Sequence, residues 1–347
     1  MNPRIKSWAG QGAAVIAVAF LASRAGFDMP FRLVEWDSSY PYGWAPYVSG
    51  VNTLLASALI VVLASVLGLA LALMRLSGNP LAAGTSRAII EVVRNTPQLV
   101  QIVFVYVAVL QVLPPMRQSL IWFGSIFLNV RGLHLPSPSG TAYDWILTAT
   151  VVITIAAAIL WRRLGLIAVP RLVVLPPVLI FGAVIAGFTA SWDTPALKGF
   201  NFVGGTRVPP ELLALVLGIG IYTSVFIAEI IRAAIEGIHR GQSEAARSLG
   251  LTANQSMFLI VLPQALRLSI PGIVNIAVDL LKDTTLVSIV GLFDLMGVVN
   301  QSMKDPAWLG LAAEGYTFAA IVFFFACLVI SLGGSLLERR FGVAHHR

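Results

Sequence analysis

The stretch from Asn275 to Thr285 holds Asn275, Asp279, Lys282, Asp283, Thr284 and Thr285 within an otherwise apolar run. Asp279 and Lys282 are three residues apart and Asp279 and Asp283 four apart, so a helix places these charges on one face. A charge inside a bilayer costs about 2.5 to 3.5 kcal/mol on insertion scales, so it faces a cavity or a partner rather than lipid. Two readings follow. Either the face lines a polar path, with Asp279 and Asp283 open to an ammonium group and Lys282 to a carboxylate, or the charges form an internal pair and polar packing between subunits. Thr96, Gln98 and Gln101 open another apolar run, where Thr96 caps a helix start or, with Gln101, meets whatever passes. Glu229 and Arg232 read as a solvated, snorkelling pair or as a gate.

Other chemistry is excluded by residue type and spacing. The four histidines, His134, His239, His345 and His346, share no metal-ligand pattern, and no nucleophile stands beside a base. Cys327 is the one cysteine, so no intrachain disulfide can form, and it reads as a small buried hydrophobe. A phosphate-binding loop ends in Gly-Lys-Ser/Thr, but Lys6, Lys198, Lys282 and Lys304 follow Ile, Leu, Leu and Met. No metal, cofactor or ATP hydrolysis is expected of this chain.

The elements that must hold these residues follow from composition. Of 347 residues 57% are hydrophobic and 11% charged, against about 25% charged in a soluble domain. The apolar residues come in blocks long enough to cross a bilayer, which takes roughly 20 per helix. Eight such blocks are legible, at 9–27, 48–74, 99–113, 143–160, 167–189, 211–231, 269–290 and 316–337, the seventh broken by Pro271 and Gly272. The expected class is an all-α integral membrane protein with about eight transmembrane helices. Arg4 and Lys6 before the first block resemble a secretion signal, but no cleavage site followed by a soluble domain appears, so it reads as a retained helix. Most Lys and Arg flank the blocks on one side, including Arg75, Arg87, Arg94, Arg162, Arg240 and Arg339, which places both termini in the cytoplasm. The net charge of +7 lies in no basic cluster, so nucleic acid is not a partner.

The chain divides into 1–47, an N-terminal helix and external aromatic segment; 48–113; 114–210, an external loop and two-helix insertion; and 211–347, with a cytoplasmic loop at 236–268. The aromatic segment carries Trp36, Tyr40, Tyr42, Trp44 and Tyr47, which read as interfacial anchors. No internal repeat of the kind that builds many secondary carriers is visible.

The loop at 236–268 parses locally as two helices and a turn. Glu244 to Leu249 is a short helix, Gly250 follows where a left-handed residue is favoured, Thr252 with Gln255 makes a capping box, and Pro263 ends or kinks the second piece. The product is a short helix presented like a lever.

These residues resemble a known family. Glu244, Ala245, Ala246, Gly250, Ile260, Leu262 and Pro263 match the EAA signature of ABC-importer permeases at every fixed position. Glu91 to Gln101 and Lys282 to Leu286 are similar to the polar amino-acid branch, and the long 114–210 stretch resembles the larger general L-amino-acid permeases. The resemblance implies a type I permease core in a bacterial inner membrane, paired with a second permease subunit. It also implies a cytoplasmic ATPase dimer gripping the EAA residues and an external solute-binding protein delivering amino acids. An ion-coupled secondary carrier using Asp279, Lys282 and Asp283, and a non-transporting scaffold, stand as alternatives.

Overall fold

A computed structural model describes residues 22–29, 31–140, 185–306 and 312–340, with isolated positions between 143 and 150. The chain forms two compact units, one running to Gln111 and resuming at Glu211, the other Val112–Pro210.

The first unit is helical. Helix α1, Ala45–Arg75, carries Pro46 in its first turn, where a fixed φ and a missing N–H cost nothing. Helices α2, Pro80–Arg94, and α3, Gln98–Phe104, follow, with a π-helical turn at Val105–Leu110. Beyond the second unit come α4, Pro210–Glu236; α5, Arg240–Ser248; α6, Leu262–Asp283; α7, Leu295–Ser302; and α8, Ala312–Arg340.

Four stretches of the described residues are long and apolar enough to cross a membrane: Tyr42–Arg75, Pro210–Glu236, Ala253–Leu286 and Ala312–Leu336. They cover the runs expected at 48–74, 211–231, 269–290 and 316–337. The run expected at 99–113 is one arm of a pair, Pro80–Arg94 and Gln98–Leu110, bent by 100°. The runs at 143–160 and 167–189 lie mostly outside the described residues, as does 9–27. The end of that last run is extended rather than helical, since the Ala25 N–H donates to the Tyr40 carbonyl at 2.9 Å.

Three local expectations need correction. Pro271 and Gly272 do not break α6. A helix within a membrane tolerates proline where neighbours supply packing, and Gly272 lets α4 approach so closely that a Cβ there would sit 2.9 Å from Ile230. The break falls later, at a 3-10 stretch, Thr284–Ile289. Pro263 likewise neither ends nor sharply kinks its helix. The π-helical turn Met257–Val261 just before it widens the backbone where the ring would strike a carbonyl. Trp36 and Tyr42, expected at the interface, are each 3% exposed. Phe27 stacks on both, the indole N–H of Trp36 donates to the Phe27 carbonyl at 3.1 Å, and the Tyr42 hydroxyl donates to Asp305 at 2.8 Å. Trp44 and Tyr47 remain exposed.

The second unit departs from the all-α expectation. Its described residues include eight short strands, with β1 Leu120–Trp122, β2 Ile126–Asn129, β3 Gly132–Leu135 and β8 Thr206–Val208 in one antiparallel sheet ordered β1-β2-β3-β8. Two further pairs are β4 Ser137–Ser139 with β5 Ser191–Asp193, and β6 Ala196–Lys198 with β7 Asn201–Val203. Phe127 of β2 and His134 of β3 stack on Phe202 of the β6–β7 pair, at 4.8 and 4.4 Å between ring centroids. Strands of three or four residues fall below the length at which alternation is readable, so Pro, Ser and Gly dominate the sequence pattern there.

Candidate functional site

Helix α5 is fastened by its ends. His239 accepts the Gly241 N–H at 3.1 Å. At the other end Gly250 has φ +83°, the left-handed conformation in which a side chain is strained. Its N–H donates to the Arg247 carbonyl at 2.9 Å and that of Leu251 to Ala246 at 3.1 Å, the pair of bonds that closes a Schellman turn. Thr252 and Gln255 then form the expected reciprocal capping box.

This scaffold sorts the signature residues. Ala246 and Leu262 are buried, Ile260 is half-buried, and Glu244, Ala245, Gly250 and Pro263 are exposed. Below α5 lies a cavity of about 670 Å3 lined by Glu236, Arg240, Glu244 and Arg247 among others. Leu249 stands at the tip, 81% exposed. A large apolar side chain thus stands in water beside the closing turn, at a position the sequence did not single out. The available signal was its position immediately before the left-handed glycine.

The second group of residues sits around α6. Lys282 is paired with Asp279 at 2.8 Å, both side chains exposed. Asp279 and Asp283 line a cavity of about 450 Å3 with Glu229, Thr223 and Tyr222, a volume in the usual range for small-molecule pockets. The Asp283 carboxylate accepts a hydrogen bond from Gln98 at 3.3 Å, which ties α6 to the start of α3. Asn275 is exposed, and Thr284 is buried with its hydroxyl donating to the Leu281 carbonyl at 2.9 Å.

Thr96 and Gln101 line a different cavity, of about 470 Å3, between the bent pair and α4. Thr96 does not cap α3. Its hydroxyl donates to the Val92 carbonyl at 2.8 Å, so it closes α2 instead. Pro97 supplies no N–H and disfavours helix at Thr96, so the chain turns there. The Gln101 amide spans the break, donating to the carbonyls of Val93 at 2.9 Å and Thr96 at 3.1 Å.

Glu229 and Arg232 form more than an isolated pair. Arg75 reaches Glu229 at 2.8 Å, and Arg232 bonds Glu229 at 2.9 Å and Glu236 at 2.6 Å. Glu229 thus belongs both to the wall of the α4–α6 cavity and to a charge ladder along α4, a double membership invisible without the fold. No group of three or more metal-binding side chains occurs among the described residues.

The family described as binding-protein-dependent transport system inner membrane component matches residues 64–343. A putative amino-acid ABC transporter permease protein of Escherichia coli K12, YhdX, is 36% identical over 380 residues, spanning 99% of this chain and 95% of its own length. The general L-amino acid transport system permease protein AapQ of Rhizobium johnstonii is 36% identical over 326 residues, spanning 90% of this chain and 80% of its own. Among solved structures, that of an amino acid ABC transporter with histidines shares the fold at a TM-score of 0.53 and 23% identity, covering 86% of this chain and 95% of the other.

Proposed function

The chain belongs to the family of binding-protein-dependent transport system inner membrane components, and on that premise we propose how its residues divide the work of an ATP-driven amino-acid importer. It is a transport subunit, and ATP hydrolysis belongs to a partner. An ion-coupled carrier built on Asp279, Lys282 and Asp283 is not supported, because the relatives are ABC transporter permeases.

The coupling surface is the outer side of α5 with its closing turn: Glu244, Ala245, Leu249 and Gly250, with Pro263 beside them. Ala246, Ile260 and Leu262 act by packing α5 against the π-helical turn. The observation that carries this reading is the α5 helix, capped at both ends, which holds Leu249 in solvent beside the exposed signature residues Glu244, Ala245 and Gly250. The partners are a cytoplasmic ATPase dimer, a second permease subunit, identical or paralogous, and an external solute-binding protein. The chain crosses a bacterial inner membrane eight times with both termini cytoplasmic, in keeping with the hydropathy blocks and the one-sided arginines.

The substrate path runs past the α4–α6 cavity. Asp279 and Asp283 serve the ammonium group of the cargo and Lys282, when released from Asp279, its carboxylate, with Asn275, Thr284, Thr96 and Gln101 shaping the route. ATP-driven closure of the ATPases moves α5, and cargo is handed inward as the helices exchange outward- and inward-open arrangements. Proteoliposomes holding this chain, its partner permease and the binding protein should take up amino acid only when the ATPase and ATP are both present. Uptake driven by an ion gradient without ATP would sink the assignment.

A further inference from the structure

The tip of the β1–β2 hairpin combines two features that are costly for a protein in water. Leu120, Ile121 and Trp122 are all exposed although alternate residues of a strand point to opposite faces, and Phe123 at the turn is 95% exposed. Phe123 also has φ +52°, the one described residue other than glycine with positive φ. A bulky side chain in that conformation loses about 1 to 2 kcal/mol, and at 95% exposure it gains almost no packing against the described residues in return. A second tip, between β6 and β7, also exposes an aromatic ring, Phe200, 75% exposed beneath the Arg117 guanidinium at 4.6 Å.

Chain connectivity says what lies nearby. β4 ends at Ser139 and β5 begins at Ser191, so this pair brackets the two apolar runs at 143–160 and 167–189, and β8 ends two residues before α4 begins. Strands in a sheet are about 4.8 Å apart, so β1 lies about 15 Å from β8 within this unit. Tryptophan favours the headgroup level, where its ring is apolar and its N–H wet, and Trp122 and Trp192 are both half exposed. Among the described residues of 112–210, Arg117, Arg131, Lys198 and Arg207 are exposed cations and Asp193 is the single acid. Cations beside apolar tips suit an anionic lipid surface.

We propose that the β1–β2 hairpin is a membrane foot: Ile121, Trp122 and Phe123 enter the headgroup region of the bilayer while the surrounding cations meet lipid phosphates. The occupant is lipid, not a soluble protein. Because Cys327 is the chain's one cysteine, Cys327→Ser with Phe123→Cys gives a single attachment point for an environment-sensitive fluorophore. The labelled protein, assembled with its partner permease and the ATPase in liposomes and shown to retain uptake once binding protein is supplied, is read without binding protein against lipids spin-labelled at the headgroup or deep in the acyl chain. Expected are a blue-shifted emission, stronger quenching by the headgroup label than by the deep one, and quenching that rises with anionic lipid content. Emission typical of water and unaffected by either label overturns the proposal. So does a blue shift that appears only when the external binding protein is added, since the tip would then dock a soluble partner.

Discussion

Between His239 and Pro263 the groups that shape the backbone find partners within about six residues: His239 with Gly241, Leu251 with Ala246, Thr252 with Gln255. Around α6 the reach is longer. Asp283 bonds Gln98, 185 residues away, and Glu229 joins the same cavity from α4 while held by Arg75 of α1. The first region, the proposed handle, has a shape written in short-range chemistry. The second, the proposed path, is an assembly of side chains from separate helices. A handle must keep its form under load, whereas a path must open, so rigid local closure suits one and distributed tertiary pairing the other.

The largest effect should come from breaking the handle. Gly250→Arg forces a side chain into a left-handed residue, at a cost of about 1 to 2 kcal/mol, and alters the surface next to Leu249. Uptake should fall to background and the ATPase should no longer co-purify, while the chain still inserts. Retained co-purification would remove the coupling role from this turn. Asp279→Asn combined with Lys282→Met should also abolish uptake, yet leave ATPase association unchanged. If both measurements fell together, the two regions would not be separable as described.

A smaller, pH-dependent effect is expected from Asp294, which caps α7 by accepting the Gly297 N–H at 2.7 Å and is 2% exposed. Burial pushes its carboxyl up to about 6. A carboxylic acid favoured in the folded state contributes its stability fully below its ordinary pKa and loses that contribution as pH rises through the folded value. Thermal stability of the purified protein should therefore decline from about pH 4 through about pH 6, and Asp294→Asn should flatten that part of the curve. The smallest effect belongs to Gln101→Leu, which takes the side-chain donor from the Thr96 carbonyl and leaves the Val93 carbonyl to backbone N–H groups such as that of Thr96. A loss of about 0.5 to 1.5 kcal/mol should appear as a lower unfolding temperature with ATPase association intact.

Residues differ in how far their role was readable. Gly250 and the Thr252–Gln255 box were readable because each acts on its own backbone. Thr96 was not: a threonine before Pro97 looks like a helix start, and whether it caps forward or closes backward depends on the direction of the 100° bend. Pro271 and Gly272 looked like a break, but the helix runs through both and the approach of Ile230 makes Gly272 a packing site. Helix α2 escaped the hydropathy reading because its charged face, with Arg87, Glu91 and Arg94, dilutes the apolar residues that bury Ile90. Trp36 and Tyr42 are buried in place of lining the interface because Phe27, Met29 and Val298 arrive from elsewhere in the chain.

From composition and short-range pattern alone came membrane embedding, the main helical runs, the capped lever and the lack of an ATP-binding loop. Hydropathy, capping and backbone conformation are properties of neighbours along the chain. The meeting of Glu229, Asp279 and Asp283 in one cavity, the tie from Gln98, and the exposure of the β1–β2 tip came only with the tertiary structure. Each depends on which helices or strands approach one another, and that is decided by packing across distances the local pattern does not encode.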